Sequence, residues 1–326
     1  MAGIVGWLRF RLLLAASWLA RRLPERPLVR VAELAGDAWY RATPARAAQA
    51  RRNLGRVAAD LAARGRGSAA VRAAATDPTA LEGLVREAYR HAARYYLEVA
   101  RAPGIRPADV EARISVDDPE VADAAFGSGR AAIYVGLHFG GIELPALLLA
   151  TRAGAAVAPM ETLADPRLQD WFVRTRAASG LRIVGLREAR RELQKALRDG
   201  TSVGLVGDRD LTGGGMPTDL FGAPAQLPLG PAMLAVESGA PVYVVGARRS
   251  GVGRYRGRIM PVPVPADGSR RERVTATMAA IAEAFEHIVE DAPEQWWAVL
   301  FPIWPDRERS TAPSPAPDAT AGSASA

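Results

Sequence analysis

The 326-residue sequence contains no cysteine and only three histidines, His91, His138 and His287. The absence of cysteine excludes disulfide bonds, thiolate metal sites and a cysteine nucleophile. Three histidines scattered along the chain, without any thiol, supply no recognisable set of metal ligands, so we expect no metal site.

The chain also lacks an uninterrupted apolar run of the roughly 20 residues that a membrane-spanning helix needs. Its most apolar segment, residues 3–23, is interrupted by Arg9 and Arg11. Arg21, Arg22 and Pro24 follow where a signal peptide needs small residues before its cleavage site. These features favour a helix lying in the membrane interface, while a buried helix and a spanning helix are the alternatives.

Positive charge is concentrated at the N-terminus. Residues 1–60 carry eleven arginines and four acidic residues, so this region alone matches the net charge of +7 of the whole chain. Because Trp7 and Trp18 lie in the same apolar segment, we predict that residues 1–60 associate with an anionic membrane surface. A nucleic-acid partner is not expected, because aromatic residues are 6% of the chain and do not alternate with the basic ones.

The composition, 49% hydrophobic and 24% charged residues, is typical of a globular protein. No linker or repeat divides residues 1–307, so we predict a single domain there. Residues 308–326 are rich in serine, proline and alanine, which predicts a disordered tail.

Strand and helix patterns alternate after a helical region at residues 1–101, and this alternation predicts an α/β fold with a mainly parallel central sheet flanked by helices. The predicted strands are residues 114–116, 131–137, 155–159, 181–184, 202–207, 242–247 and 256–262. The predicted helices are residues 121–128, 142–153, 167–179, 188–199, 231–238 and 270–291.

His138 directly follows the apolar strand 131–137, at the carboxyl end, where open α/β sheets bind ligands. Gly140 and Gly141 predict a turn into a helix whose first turn holds Glu143, which we expect to fold back onto the imidazole. A neutral histidine oriented by a carboxylate is a general base for an attacking hydroxyl. The alternative is a structural histidine in a tight turn beside an unrelated acid.

Several short segments follow one another in order from residue 50 to 300. The first two are Arg51-Arg52-Asn53-Leu54 and the His-x4-Glu box of His138 and Glu143. The others are residues 207–211 (GDRDL), 219–222 (DLFG), 227–232 (LPLGPA) and 292–296 (APEQW). Together these segments resemble the glycerolipid-type acyltransferase superfamily, closest to the lipid A late acyltransferases and the actinobacterial phosphatidylinositol mannoside acyltransferases.

The resemblance implies an acyltransferase at the cytoplasmic face of the cell membrane. It implies transfer of a palmitoyl-type group from acyl-CoA, a co-substrate, to a mannose hydroxyl of a phosphoinositide glycolipid, without a cofactor. Catalysis would fall to His138, Glu143 and Asp208. The implied substrate-binding residues are Phe139, Gly140, Gly141, Arg209 and Asp210.

The sequence departs from the lipid A branch at one motif. That branch carries an Arg-Pro pair after the strand that follows the His-x4-Glu box. Here the sequence reads Ala158-Pro159-Met160-Glu161, which favours the actinobacterial branch. A lipid A-type or other glycolipid enzyme using acyl carrier protein, and a non-catalytic lipid-binding protein, are the alternatives. Two further features stay open: the oligomeric state, and the partner of a second basic cluster comprising Arg248, Arg249, Arg254, Arg256 and Arg258.

Overall fold

A computed structural model describes residues 2–178, 180–210 and 213–304. The predicted disordered tail, and Leu211 of the 207–211 segment, lie outside these residues.

Helices make up the N-terminal third, as predicted. They are α1 (Ala2–Arg22), α2 (Glu25–Ala42), α3 (Pro44–Ala63), α4 (Ala69–Ala73), α5 (Pro78–Arg101) and α6 (Pro107–Arg113). Proline at the first turn of α3 and α5 suits a helix start, and Asp77 caps α5 by accepting from the Thr79 N–H. Helix α5 buries Val85, Ala88 and Ala92, whose spacing forms one apolar stripe.

The predicted α/β fold is confirmed. The strands are β1 (Ile114–Val116), β2 (Ile133–Gly140), β3 (Ala156–Met160), β4 (Leu181–Gly185), β5 (Ser202–Val206), β6 (Met216–Leu220), β7 (Ala223–Leu227), β8 (Val242–Gly251) and β9 (Arg254–Val262). The later helices are α7 (Pro119–Gly127), α8 (Glu143–Arg152), α9 (Pro166–Ala177), α10 (Ala189–Arg198), α11 (Gly230–Ser238) and α12 (Arg270–Val289). Short 3-10 turns span Ala102–Gly104, Pro293–Gln295 and Trp297–Leu300.

Seven strands form one sheet in the order β1-β9-β8-β2-β5-β3-β4. Pairing is parallel except between β8 and β9. Strand β2 occupies the centre and is apolar on both faces, as expected for a strand covered by helices on both sides. Its odd-numbered residues Ile133–Phe139 join a core that also contains residues of α3, α5 and α12, whereas Tyr134 joins a second core on the opposite face.

The hairpin β6–β7 is a feature that the sequence patterns did not predict. Phe221 and Gly222 turn the chain with φ values of 52° and 67°, the geometry of a tight hairpin turn. Pro217 and Pro224 lie in these strands and obscure the strand pattern in the sequence.

Candidate active site

His138 lies near the carboxyl end of β2, the central strand of the sheet. The chain turns at Gly140, whose φ is 55°, and α8 begins at Glu143, as the sequence predicted. A Cβ atom at Gly140 would lie 1.9 Å from the carbonyl oxygen of Ala247, so only glycine fits this turn. The turn separates the imidazole from the helix that follows.

Asp208 holds the imidazole of His138. Its Oδ1 lies 2.7 Å from Nδ1 of the ring, and its Oδ2 accepts a hydrogen bond of 2.9 Å from the backbone N–H of His138. Asp208 follows β5 through Gly207, where a Cβ atom would come within 2.9 Å of Val135. The sheet therefore brings together two residues at the carboxyl ends of adjacent parallel strands.

Burial acts to raise the pKa of Asp208, but the hydrogen bonds from His138 and Trp296, and the positive charge of His138 when it is protonated, outweigh it and lower the pKa. The carboxylate is thus ionised and accepts from Nδ1–H. The other ring nitrogen, Nε2, is then left as a proton acceptor, which is the tautomer a general base needs.

The predicted pairing of Glu143 with His138 is wrong. Glu143 is buried, with 4% of its surface exposed, and both of its carboxylate oxygens accept from Arg176 of α9, the shorter contact being 2.6 Å. As the first residue of α8, Glu143 points to the neighbouring helix rather than back to the strand. Asp208, which the resemblance also implied, occupies the orienting position.

The C-terminal segment completes the surroundings of the pair. Trp296 is fully buried and donates a 2.7 Å hydrogen bond from Nε1 to Oδ2 of Asp208. The ring of Trp297 meets the imidazole of His138 edge to face, with centroids 4.4 Å apart, and stacks on Tyr95 of α5. Trp296 lies in the segment 292–296 that carries the family resemblance, which implied no role for it, and no sequence motif pointed to Trp297 or Arg176.

A buried arginine supports the turn after His138. Arg249 forms a two-point ion pair with Glu98 and donates a 3.0 Å hydrogen bond to the carbonyl of Gly140. Burial and the charge of Arg249 lower the pKa of His91 to about 2, so this histidine is neutral and accepts from the guanidinium. Arg249 therefore does not belong to a solvent-facing basic cluster.

Three other arginines of that second cluster are also paired with acids. Arg248, Arg256 and Arg258 converge on Asp117, with contacts of 2.8–3.6 Å. Arg248 and Arg258 also contact Asp291, and Arg258 contacts Glu290, so acidic neighbours offset the positive charge of these three arginines.

The remaining predicted binding residues differ in their surroundings. Arg209 is half-buried, with its guanidinium carbon 4.0 Å from the centroid of the Phe301 ring. Asp210 accepts from the backbone N–H groups of Gly213 and Gly215 and thereby orders the glycine-rich loop. Gly141 packs tightly, because a Cβ atom there would lie 2.7 Å from the ring of Tyr255.

An apolar cavity opens between the sheet and α8. Its empty volume is about 1120 Å³ including the open mouth, and its lining reaches Leu137 and Phe139 on either side of His138. The walls are largely apolar, and their charged residues are the paired Glu143 and Arg176 together with Arg258. Of the four leucines that follow Glu143, Leu148 and Leu149 line the cavity.

An exposed apolar surface covers one face of α1. It consists of Trp7, Leu8, Leu12, Trp18 and Leu19 and is continued by Leu23 just after the helix, each 41–60% exposed. Arg11 and Arg22 lie over the rings of Trp7 and Trp18. None of the helices in the described residues has the length and apolarity to cross a bilayer, and no cluster of metal-ligating side chains occurs among those residues.

Comparison with known proteins places these residues in a family. The family model described as bacterial lipid A biosynthesis acyltransferase matches residues 4–302. A phosphatidylinositol mannoside acyltransferase of Mycolicibacterium smegmatis is 29% identical over 89% of this chain and 90% of its own length. A protein of the same name from Mycobacterium tuberculosis H37Rv is 31% identical over 89% of this chain and 87% of its own length.

Proposed function

The chain belongs to the bacterial lipid A biosynthesis acyltransferase family, and from this premise we propose that it transfers a palmitoyl-type group from acyl-CoA to a mannose hydroxyl of a phosphatidylinositol mannoside. The acceptor class rests on the printed names of its relatives. The observation that carries the chemistry is the contact of 2.7 Å between His138 and Asp208.

The proposed reaction proceeds without a protein-bound intermediate. Nε2 of His138 removes the proton of the sugar hydroxyl as its oxygen attacks the thioester carbonyl. Asp208 stabilises the imidazolium that forms, in the same division of roles as in a Ser-His-Asp triad. The tetrahedral intermediate then expels the CoA thiolate, which takes the proton back from Nε2, and the products are the ester and free CoA.

Arg209 supplies positive charge beside this pair. It directly follows Asp208, and its half-buried guanidinium is available to the oxyanion of the intermediate or to a substrate phosphate. Burial lowers the pKa of Arg209, but an arginine remains charged at neutral pH. The reaction uses acyl-CoA as a co-substrate and requires no further cofactor.

The apolar cavity is proposed to hold the acyl chain. Each buried methylene contributes about 0.8 kcal/mol, so a long chain gains much of its affinity from such a cavity. The apolar surface of α1 is proposed to rest on the cytoplasmic face of the cell membrane, with the N-terminal arginines facing anionic lipid.

The test is transfer of labelled palmitoyl-CoA to a mannosylated phosphatidylinositol by the purified protein. We expect labelled product with the wild type and with the control His287→Ala, and none above background with His138→Ala. Palmitoyl-acyl carrier protein as donor and a lipid A precursor as acceptor form the comparison arms. Preference for either one, or full activity of His138→Ala, contradicts the corresponding part of the proposal.

A further inference from the structure

A glycine lies in the floor of the apolar cavity, in the middle of the central strand. Gly136 of β2 is in register with Val206 of β5 on one side and with Val245 of β8 on the other. All three residues line the cavity. Glycine weakens the interior of a strand and often marks a position that a ligand approaches closely.

Packing against the protein does not require glycine at this position. A Cβ atom at Gly136 would meet only two strand carbonyl oxygens, those of Leu205 and Val245, at 3.7 and 3.8 Å. These are ordinary van der Waals distances. By contrast, a Cβ atom at Gly246 would lie 2.4 Å from Ile288. The space above Gly136 is therefore part of the cavity.

The strand also gives Gly136 a defined place relative to the catalytic pair. Tyr134 and Gly136 lie on one face of β2, since side chains alternate along the regular part of the strand. His138 follows Gly136 by two residues, beyond a shift in the pairing of β2 with β8. Two residues advance about 6.6 Å along a parallel strand. Tyr134, stacked on Phe126 at 5.4 Å, forms a wall further from His138, and both of these aromatic residues line the cavity.

We propose that Gly136 determines acyl-chain selectivity: its missing side chain keeps open the passage from His138 to the deep part of the cavity, so that a long chain enters. This inference rests on the proposed function, because it places the thioester at His138. A side chain at position 136 narrows this passage at a point about two residues of β2 away from the reacting carbonyl. Long chains are then excluded, while short chains, which end before Gly136, still bind.

The test compares Gly136→Ala and Gly136→Val with the wild type on palmitoyl-, decanoyl- and butyryl-CoA. Each methylene excluded from the cavity lowers affinity by roughly fourfold, so we expect Gly136→Val to reduce kcat/KM for palmitoyl-CoA by at least about tenfold. Its kcat/KM for butyryl-CoA stays within about threefold of the wild type, since a short chain gains little from the deep cavity. Gly136→Ala also lowers kcat/KM more for palmitoyl-CoA than for butyryl-CoA, by a smaller factor than Gly136→Val.

The control is Gly251→Val, the same substitution in β8 at an exposed position outside the cavity, and it leaves the chain-length profile unchanged. Equal losses for all three donors in Gly136→Val and Gly136→Ala, or unchanged profiles in both, overturn the inference. If the valine variant does not fold, as judged by its thermal transition, the alanine variant decides.

The activity of the wild type distinguishes failure of the proposed function from failure of this inference. If the wild type transfers none of the three acyl groups, the proposed function fails. Calorimetric binding of palmitoyl-CoA then tests the role of Gly136 without turnover. Binding to the wild type that Gly136→Val weakens at least tenfold supports the inference, and equal binding overturns it.

Discussion

Asp208 contacts His138 at two points, the ring Nδ1 and the backbone N–H, although 70 residues separate them in the chain. The backbone contact fixes the carboxylate against the strand, and the ring contact then fixes the imidazole. Because Asp208 is 1% exposed, water does not compete for either contact. The orientation of the base is therefore set before substrate binds.

Replacement of Asp208 by asparagine tests this orientation. The amide can present its NH₂ group to Nδ1 and stabilise the wrong tautomer, so we expect kcat to fall roughly thousandfold while the fold is retained. The measurement is kcat at saturating acyl-CoA, with near-ultraviolet circular dichroism as the structural check. Near wild-type kcat in folded Asp208→Asn would contradict the orienting role of Asp208.

The Glu143–Arg176 pair gives a contrasting prediction. Removing one partner of a buried ion pair costs about 3–5 kcal/mol, because the other charge is left unpaired. We expect Glu143→Gln and Arg176→Met each to lower stability towards urea, and the double variant to cost less than the sum of the two. Any loss of kcat in folded Glu143→Gln should be at least about tenfold smaller than in Asp208→Asn. An equal loss at full stability would return Glu143 to the catalytic role.

Glu294 makes stability depend on pH. Burial raises the pKa of Glu294 to about 7 from an ordinary value of 4.5, so between these values the folded state holds a proton that the unfolded state releases. Stability therefore falls as the pH rises through this window. Since one pKa unit corresponds to about 1.4 kcal/mol, the loss is at most about 3.5 kcal/mol.

Glu294→Gln should remove this dependence. We expect the melting temperatures of the variant and the wild type to be similar at pH 4.5 and to diverge by pH 8, with the variant higher. The measurement is a series of thermal scans between these limits. A constant difference across the series would show that Glu294 does not titrate in this window.

The apolar surface of α1 predicts binding to anionic vesicles. Leu12 is 60% exposed on this face. Its replacement by alanine should lower the vesicle partition coefficient by about tenfold, which corresponds to the free energy of burying one leucine side chain in the membrane. Leu186→Ala is the matched control, because Leu186 is a leucine 39% exposed in the turn after β4, outside the apolar surface of α1. Vesicle sedimentation in low and high salt gives the measurement. Equal effects of the two substitutions would place the membrane contact elsewhere.

Local patterns were enough to predict the strand, the glycine turn and the start of α8 around His138, because each depends on residues close in sequence. They did not identify the partner of Glu143. Arg176 lies 33 residues further along, on a different helix, and only the folded structure shows that its side chain reaches Glu143. Asp208 came from the family resemblance, and its distance to His138 depends on strand order, which periodicity does not determine.

The hydrogen bond from Trp296 to Asp208 has a consequence for biosynthesis. His138 and Asp208 leave the ribosome well before Trp296, which lies 88 residues after the aspartate. Asn53 of α3 likewise lacks its hydrogen-bond acceptors, the carbonyls of Val299 and Phe301, until these residues have been synthesised. A nascent chain therefore carries its general base with an incomplete set of hydrogen bonds, and transfer activity should begin only when these last residues have emerged and docked.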